Sequence, residues 1–122
     1  TELLQAEEAV LEGVEAALAA VKPGNTCQDI EAAWRTAIQK YGFDKASRCG
    51  YSIGLSYPPD WGERTMSLRQ GDSSVLKAGM TFHLIPALWK DDWGLEISES
   101  FLVTDSGHET LANFPRPIFI KP

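Results

Sequence analysis

The spacing of the apolar residues changes near Gly42, and this change limits the possible folds more than any other feature of the chain. Before it, apolar residues recur at intervals of three, four and seven, which gives a helix one apolar face. After it, short apolar runs are separated by Gly, Pro, Asp and Ser, a pattern typical of strands joined by turns. The chain therefore divides into a helical part and a part rich in strands and loops.

Two amphipathic helices are predicted in the first part. The first ends at Pro23 and Gly24, because proline cannot continue a helix and glycine suits a left-handed stop. The second runs from about residue 27 to residue 41, after Thr26 and Asp29 in an acidic form of the capping box. The apolar faces consist of Leu3, Val10, Val14, Leu18 and Val21 in the first helix and of Ile30, Ala33, Trp34, Ala37, Ile38 and Tyr41 in the second.

Two long β-runs are predicted in the second part, at residues 80–89 and 94–104. The polar segment KDDW joins them in the manner of a hairpin. Residues 43–79 are predicted to be turns and loops around short apolar pieces. Two helices followed by an antiparallel β region predict an α+β fold.

Length, charge and hydropathy exclude several classes of function. The 122 residues make one domain that is long enough to bury a core. The net charge of −6 includes no basic run, so neither nucleic acid nor an anionic membrane is an expected partner. The apolar stretches fall short of the roughly 20 residues of a transmembrane helix, and no signal-peptide pattern is found. The chain opens without Met and directly in a helical pattern, which suggests a piece of a longer protein.

The two cysteines predict neither a zinc site nor a disulfide framework. Cys27 and Cys49 are 22 positions apart and form no CxxC pair. Cys27 stands at a helix start, where a thiolate could be stabilised, but no histidine lies near it in sequence, and a catalytic role is not expected. The expected compartment is a reducing cytoplasm.

Polar side chains occur in both β-runs. Alternation separates His83 from its apolar neighbours in the first run, and Glu96, Ser98 and Ser100 share one face of the second. An imidazole and a carboxylate on neighbouring strands could act as a general base and its orienting acid. The alternative is that His83 is a solvated or hydrogen-bonded spectator, and that Glu96 and Glu99 are ordinary exposed carboxylates.

The stretch RCGYSIGLSYPPDWGE, residues 48–63, combines glycines, adjacent prolines, aromatic rings and carboxylates. It is either a bent loop with Tyr51, Tyr57 and Trp61 packed beneath it, or the rim of a pocket. Aromatic faces together with Asp60 and Glu63 suit a small cationic or zwitterionic ligand. The residues alone leave both interpretations open.

The order of the motifs resembles the C-terminal half of the pita-bread fold of the creatinase, aminopeptidase and prolidase family. The similar phrases are VKPGNT, YGF, GYSIG, LKAGMTFHLIP and GLEISESFLVTDSGHETL, which span nearly the whole chain. The resemblance implies that residues 1–122 are the C-terminal part of a catalytic domain whose first half, with an N-terminal domain, is absent from this chain. GYSIGLSYPPDWGE and GMTFHLIPALWKDDWGLEISES are most similar to the ectoine hydrolase branch of the family.

The family's peptidases bind two metal ions through two aspartates, a histidine and two glutamates, and the aspartates would precede Thr1. The histidine of the family's GHxxG phrase is Tyr51 here, the glutamate of its GMxFxxEP phrase is Ile85, and the glutamate four residues before LVT is Ser98. The family's second histidine is Pro58. These side chains are poor ligands for hard divalent cations. No metal and no other cofactor is therefore expected.

The resemblance implies a hydrolase that acts on a C–N bond of a small zwitterion, with ring opening of ectoine to N-acetyl-diaminobutyrate as the first candidate. If Ile85 and Ser98 face the family's active site, His83 and Glu96, each two residues away, face it too. These two are the expected catalytic residues, which assist proton transfer. A nucleophile or water-activating carboxylate is expected upstream of residue 1.

Five residues are expected to bind the substrate. They are Tyr51, Asp60, Trp61, Glu63 and Ser98. Rings and carboxylates would serve the delocalised cation of the substrate. Half of a pita-bread fold leaves sheet edges and apolar surface uncovered, so this part either packs against its other half or dimerises through that surface. The full-length protein is expected to be a homodimer. The alternatives are an Xaa-Pro dipeptidase-like or creatinase-like amidohydrolase, or an inactive pita-bread module that binds peptides or partners.

Overall fold

The computed structural model describes residues 1–57, 59–60 and 62–122. Two helices come first and strands follow, so the predicted α+β class is confirmed. The elements are α1 (Glu2–Ala19), α2 (Cys27–Gln39), β1 (Gly50–Ile53), β2 (Gly62–Ser67), β3 (Thr81–Leu84), β4 (Ala87–Trp89), β5 (Gly94–Glu96), β6 (Glu99–Val103) and β7 (His108–Thr110).

The two helices end close to the predicted positions. The capping box at the start of α2 forms, with the Thr26 N–H donating to the Asp29 carboxylate at 2.7 Å. Gly42 adopts a φ of 81° and provides the left-handed stop of α2, whereas α1 ends at Ala19 with Ala20 as a right-handed cap, four residues before Gly24 with its φ of 94°. Within the described part of the chain, neither helix is long and apolar enough to cross a membrane.

The strands form one sheet of five and a separate hairpin. The order in the sheet is β2-β1-β3-β6-β7, with antiparallel neighbours, while β4 pairs only with β5. Each predicted β-run is therefore split in two, with one half in the sheet and the other in the hairpin. The break in the first run falls at Pro86, which has no N–H for a ladder, and the Pro86 carbonyl accepts from the Ile97 N–H at 3.1 Å.

The prediction of loops over residues 43–79 was wrong for two segments. GYSI is β1, which pairs with both β2 and β3 near the middle of the sheet, and β2 occupies residues 62–67. Strand β1 is only four residues long and begins with glycine, so its sequence is too short to show alternation. The stretch that resembled a single loop is thus one strand, a connection and the start of another strand.

The sheet has one buried face and one half-buried polar face. Phe82 and Phe101 are fully buried and stack with their ring centroids 5.4 Å apart. His83 and Ser100 alternate with them on the partly exposed face, which confirms the predicted alternation around His83. The prediction that Glu96 shares this face with Ser100 was wrong, because Glu96 lies in β5 of the hairpin. Glu99 is only 8% exposed and pairs with Arg116 at 2.8 Å, so the interpretation of Glu99 as an exposed carboxylate was wrong.

Replacement of Gly50 by alanine is expected to destabilise the sheet. A Cβ at this position would lie 2.6 Å from the backbone oxygen of His83 and 3.2 Å from the Cα of Leu84, so β1 and β3 would have to separate. We expect the free energy of unfolding to fall by about 1–3 kcal/mol, the usual cost of overpacking, in chemical denaturation. Gly107→Ala is the matched control, since its nearest atom lies 3.7 Å away. Equal losses in the two variants would contradict the prediction.

Candidate active site

The centre of the site is a contact between Tyr51 on β1 and His83 on β3. The two residues are direct partners in the antiparallel register, and such partners project from the same face. The Tyr51 hydroxyl lies 3.0 Å from Nδ1 of His83, and the rings meet edge to face with centroids 5.4 Å apart. Either atom can donate the hydrogen bond, according to the tautomer of the imidazole. The contact fixes the ring of His83 and leaves its Nε2 as the second functional nitrogen.

His83 is half-buried, and this burial lowers the pKa of its imidazole. The negative charge of Glu96 acts in the opposite direction and raises the same pKa, but burial dominates. His83 is therefore neutral at neutral pH, which is the form that a general base requires. Glu96 acts on His83 as a neighbouring charge, and Nδ1 of His83 is hydrogen-bonded to the Tyr51 hydroxyl.

Two basic residues before β1 belong to the same neighbourhood. The guanidinium carbon of Arg48 lies 4.9 Å from the centroid of the Tyr51 ring. Lys45 is half-buried, and burial lowers the pKa of its ammonium group, with the charges of Glu96 and Arg48 also acting on it. Sequence reasoning missed both residues. They lie in an irregular segment, where no periodicity indicates which side chains point toward the site. Their nearness to Tyr51 along the chain was the only available signal.

A cavity of about 730 Å³ opens beside the Tyr51 ring, within the range of about 300–1,000 Å³ that is usual for small-molecule sites. Its lining includes Arg48, Tyr51, Asp60, Arg64, Arg69 and Asp72. Glu96 and Ser98 instead line a neighbouring hollow of about 290 Å³ beside the C-terminal tail. The structure thus brings Tyr51 and Asp60 to one cavity and places Glu96 and Ser98 at another. Tyr51 connects the first cavity to His83.

The carboxylates of Asp60, between β1 and β2, and of Glu63, in β2, already have partners. Asp60 forms an ion pair with Arg64 and accepts from the Gly62 N–H at 3.1 Å, and the Arg64 side chain holds the pKa of Asp60 below its usual value. Glu63 accepts from the Ser56 N–H at 2.8 Å. These bonds brace the connection between the strands.

Two residues of the connection have no structural description. Trp61, expected to bind substrate, and Pro58, at the family's second histidine position, lie outside the described residues.

The three positions that the resemblance aligns with the family's metal ligands have other side chains in this chain. Tyr51 is hydrogen-bonded to His83, Ile85 follows β3, and Ser98 is exposed between β5 and β6. Among residues 1–57, 59–60 and 62–122, no group of three or more His, Cys, Asp or Glu is arranged to hold a metal ion. A phenol, an alkyl group and a hydroxyl are poor donors for hard divalent cations, so the residues present do not fit a two-metal centre.

The cysteines are unsuited to nucleophilic catalysis. Cys27 and Cys49 are both buried free thiols. Burial raises the pKa of each thiol to about 12, so both stay protonated at neutral pH.

The protonation of His83 can be measured directly. In an NMR titration we expect its midpoint below the ordinary 6.5, and Glu96→Gln should lower it further by removing the charge that favours the imidazolium. A lowered pKa in the folded state means that His83 binds a proton more readily in the unfolded chain. The contribution of His83 to the free energy of unfolding is therefore fully present above pH 6.5 and is lost as the pH falls through the folded-state pKa. His83→Gln should flatten this dependence and His108→Gln should not. A midpoint above 6.5 would contradict the expectation.

The chain matches the model of metallopeptidase family M24 over residues 1–105. It is 60% identical to ectoine hydrolase of Halomonas elongata over 122 residues, which is 99% of this chain and 31% of that protein. Dipeptidase PepE from Mycobacterium ulcerans superposes with a TM-score of 0.87 at 28% identity, over 96% of this chain and 31% of that one. Prolidase from Pyrococcus furiosus gives 0.85 at 28%, over 95% and 34%.

These matches confirm the resemblance that the motifs indicated. The two helices and the antiparallel sheet correspond to the C-terminal pita-bread region of the dipeptidase and the prolidase. The chain spans about a third of the length of each of these relatives, since the shares covered are 31%, 31% and 34%. The match to the family model over residues 1–105 shows that the chain belongs to metallopeptidase family M24.

Proposed function

We propose that this chain is the C-terminal part of the catalytic domain of a hydrolase that opens the ring of a small zwitterionic amidine, with ectoine as the first substrate to test. The observation that carries the proposal is the Tyr51–His83 contact, which puts a neutral imidazole beside the strand position where the family's peptidases have a histidine. The 60% identity to an ectoine hydrolase supports the choice of substrate.

The proposed reaction adds water to the amidine carbon. His83 accepts a proton from the attacking water through Nε2. Its Nδ1–H donates a hydrogen bond to the Tyr51 hydroxyl, and this bond fixes the ring. The oxygen of water bonds to the amidine carbon, one C–N bond of the ring breaks, and the departing nitrogen receives the proton. The product is N-acetyl-diaminobutyrate. Glu96 stabilises the imidazolium that forms between these steps, because its charge raises the pKa of His83.

The reaction is proposed to proceed without metal. Support comes from the donor chemistry of Tyr51, Ile85 and Ser98, which lack the imidazole and carboxylate groups that the family's metal sites use. A carboxylate upstream of residue 1 is proposed to help activate the water. This chain alone is therefore expected to be inactive.

The proposed substrate wall consists of five residues. They are Tyr51, Asp60, Trp61, Glu63 and Ser98. Asp60 and Glu63 contribute mainly by fixing the connection between β1 and β2, since both carboxylates are already bonded within it. Ser98 would contact substrate from the neighbouring hollow, where its side chain is exposed.

The full-length protein is proposed to be a homodimer. Strands β2 and β7 are the edges of the sheet, and several large apolar side chains are uncovered, including Leu55 at 99% exposure and Phe119 at 74%. Such surface needs a cover, which another part of the protein or a second copy can supply.

Turnover by the full-length protein tests the reaction and the absence of metal together. We expect it to hydrolyse ectoine at the same rate with and without a chelator, and to leave an Xaa-Pro dipeptide intact. Product formation can be followed by liquid chromatography. Dipeptidase activity that the chelator abolishes would overturn the proposal, and binding of either compound without turnover would favour an inactive binding module.

Two substitutions test the central contact. His83→Gln is expected to lower kcat by about 10²–10⁴-fold, the usual contribution of general acid–base catalysis. Tyr51→Phe keeps the ring but removes the hydroxyl, and we expect a smaller loss in kcat with a shifted pH profile. His108→Gln is the matched control, since His108 is exposed on β7. If His83→Gln and His108→Gln gave the same kcat, His83 would have no catalytic role.

A further inference from the structure

Arg48 differs from the other arginines of the large cavity in the partners of its guanidinium. Arg64 is paired with Asp60, and Nε of Arg69 donates to the Ser67 hydroxyl at 3.1 Å. Arg48 lies over the Tyr51 ring and makes no ion pair or hydrogen bond with any other part of the chain that the structure describes. Its N–H donors are therefore available to a ligand in the cavity.

The backbone that carries Arg48 is held firmly. The Cys49 N–H donates to the Leu68 carbonyl at 2.8 Å, and the Cys49 carbonyl accepts from the Ile85 N–H at 2.7 Å. The Cys49 side chain is fully buried. The guanidinium is therefore positioned at both ends, by the fixed backbone and by the face of the Tyr51 ring. Little conformational freedom remains to be lost when a ligand binds.

The charges around Arg48 favour an anion. Asp60, an acidic group of the cavity with which the charge of Arg48 interacts, is already paired with Arg64. Lys45 adds a second positive charge near Arg48. A planar guanidinium presents parallel N–H groups that match the two oxygens of a carboxylate. Arg48 also covers one face of the Tyr51 ring, so its positive charge disfavours a cationic ligand group on that face.

We propose that Arg48 binds the carboxylate of the substrate and sets the specificity for amidines that carry one. The inference rests on the proposed function. It assigns a binding residue to the substrate carboxylate, for which the rings and carboxylates of the substrate wall provide no positive charge. With its carboxylate on Arg48, a zwitterion is oriented with its amidine ring along Tyr51 and toward His83. Arg48 is thus a substrate-binding residue that selects a carboxylated ring over the same ring without the acid group.

The test compares two ligands that differ only in the carboxylate. Binding of ectoine and of 2-methyl-1,4,5,6-tetrahydropyrimidine, the same ring without the acid, is measured by calorimetry on the full-length protein. Arg48→Gln is expected to weaken ectoine binding by about 10- to 100-fold, the loss typical of a hydrogen bond to a charged group. Binding of the second ligand should change by less than about threefold, and the KM for ectoine should rise more than kcat falls.

Two further variants control for charge and folding. Arg48→Lys keeps the charge but not the planar fork, so it should retain part of the preference for ectoine. Lys22→Gln removes an exposed positive charge outside the cavity and should leave both affinities unchanged. Thermal unfolding of each variant checks that the fold is intact, which is expected because Arg48 is exposed.

The outcomes separate this inference from the proposed function. If the wild-type protein hydrolyses ectoine and Arg48→Gln keeps the full preference for the carboxylated ring, the inference on Arg48 is wrong and the function stands. If the wild-type protein binds ectoine through Arg48 without hydrolysing it, the function is wrong and the binding role stands. Equal weakening of both ligands in Arg48→Gln also overturns the carboxylate role. If neither ligand binds the wild-type protein, both proposals fail.

Discussion

The close antiparallel pairing of β1 with β3 is the interaction on which the rest of the site depends. Gly50 permits it, because there is no room for a Cβ between its backbone and that of His83 and Leu84. The pairing places Tyr51 directly opposite His83, so backbone hydrogen bonds set the distance between a phenol and an imidazole. The geometry of the reactive groups is thus a property of the sheet and does not rely on a flexible loop.

Burial and charge act in opposite directions on the groups around this pair. Burial favours the neutral forms of His83 and Lys45, whereas the carboxylate of Glu96 favours their charged forms. Arg48 adds a positive charge against the Tyr51 ring. Arg48, Arg64 and Arg69 line the cavity together with Asp60 and Asp72, so the cavity beside this pair carries charges of both signs.

Much of the scaffold could be predicted from the sequence. The helices follow from apolar spacing, although α1 ends at Ala19, before the predicted stop at Pro23 and Gly24, and alternation gave the correct faces for His83 and Phe82. The splits of the two β-runs, the first of which falls at Pro86, could not be predicted. Whether a run forms one long strand or two short ones depends on which neighbouring strands it can pair with. Arg48 was missed for a related reason, since its role comes from a ring contact across an irregular segment.

Two of the aligned metal-ligand positions lie in the breaks between β3 and β4 and between β5 and β6. Ile85 and Ser98 lie in those breaks, outside the ladders of the sheet and the hairpin. The backbone N–H of Ile85 still bonds to Cys49, but that bond does not involve its side chain. Side chains at these two positions can therefore be exchanged without loss of a backbone hydrogen bond. Of the three positions that the resemblance aligns with metal ligands, Ile85 and Ser98 therefore lie in breaks of the ladders, whereas Tyr51 lies in β1 and takes its position from the sheet.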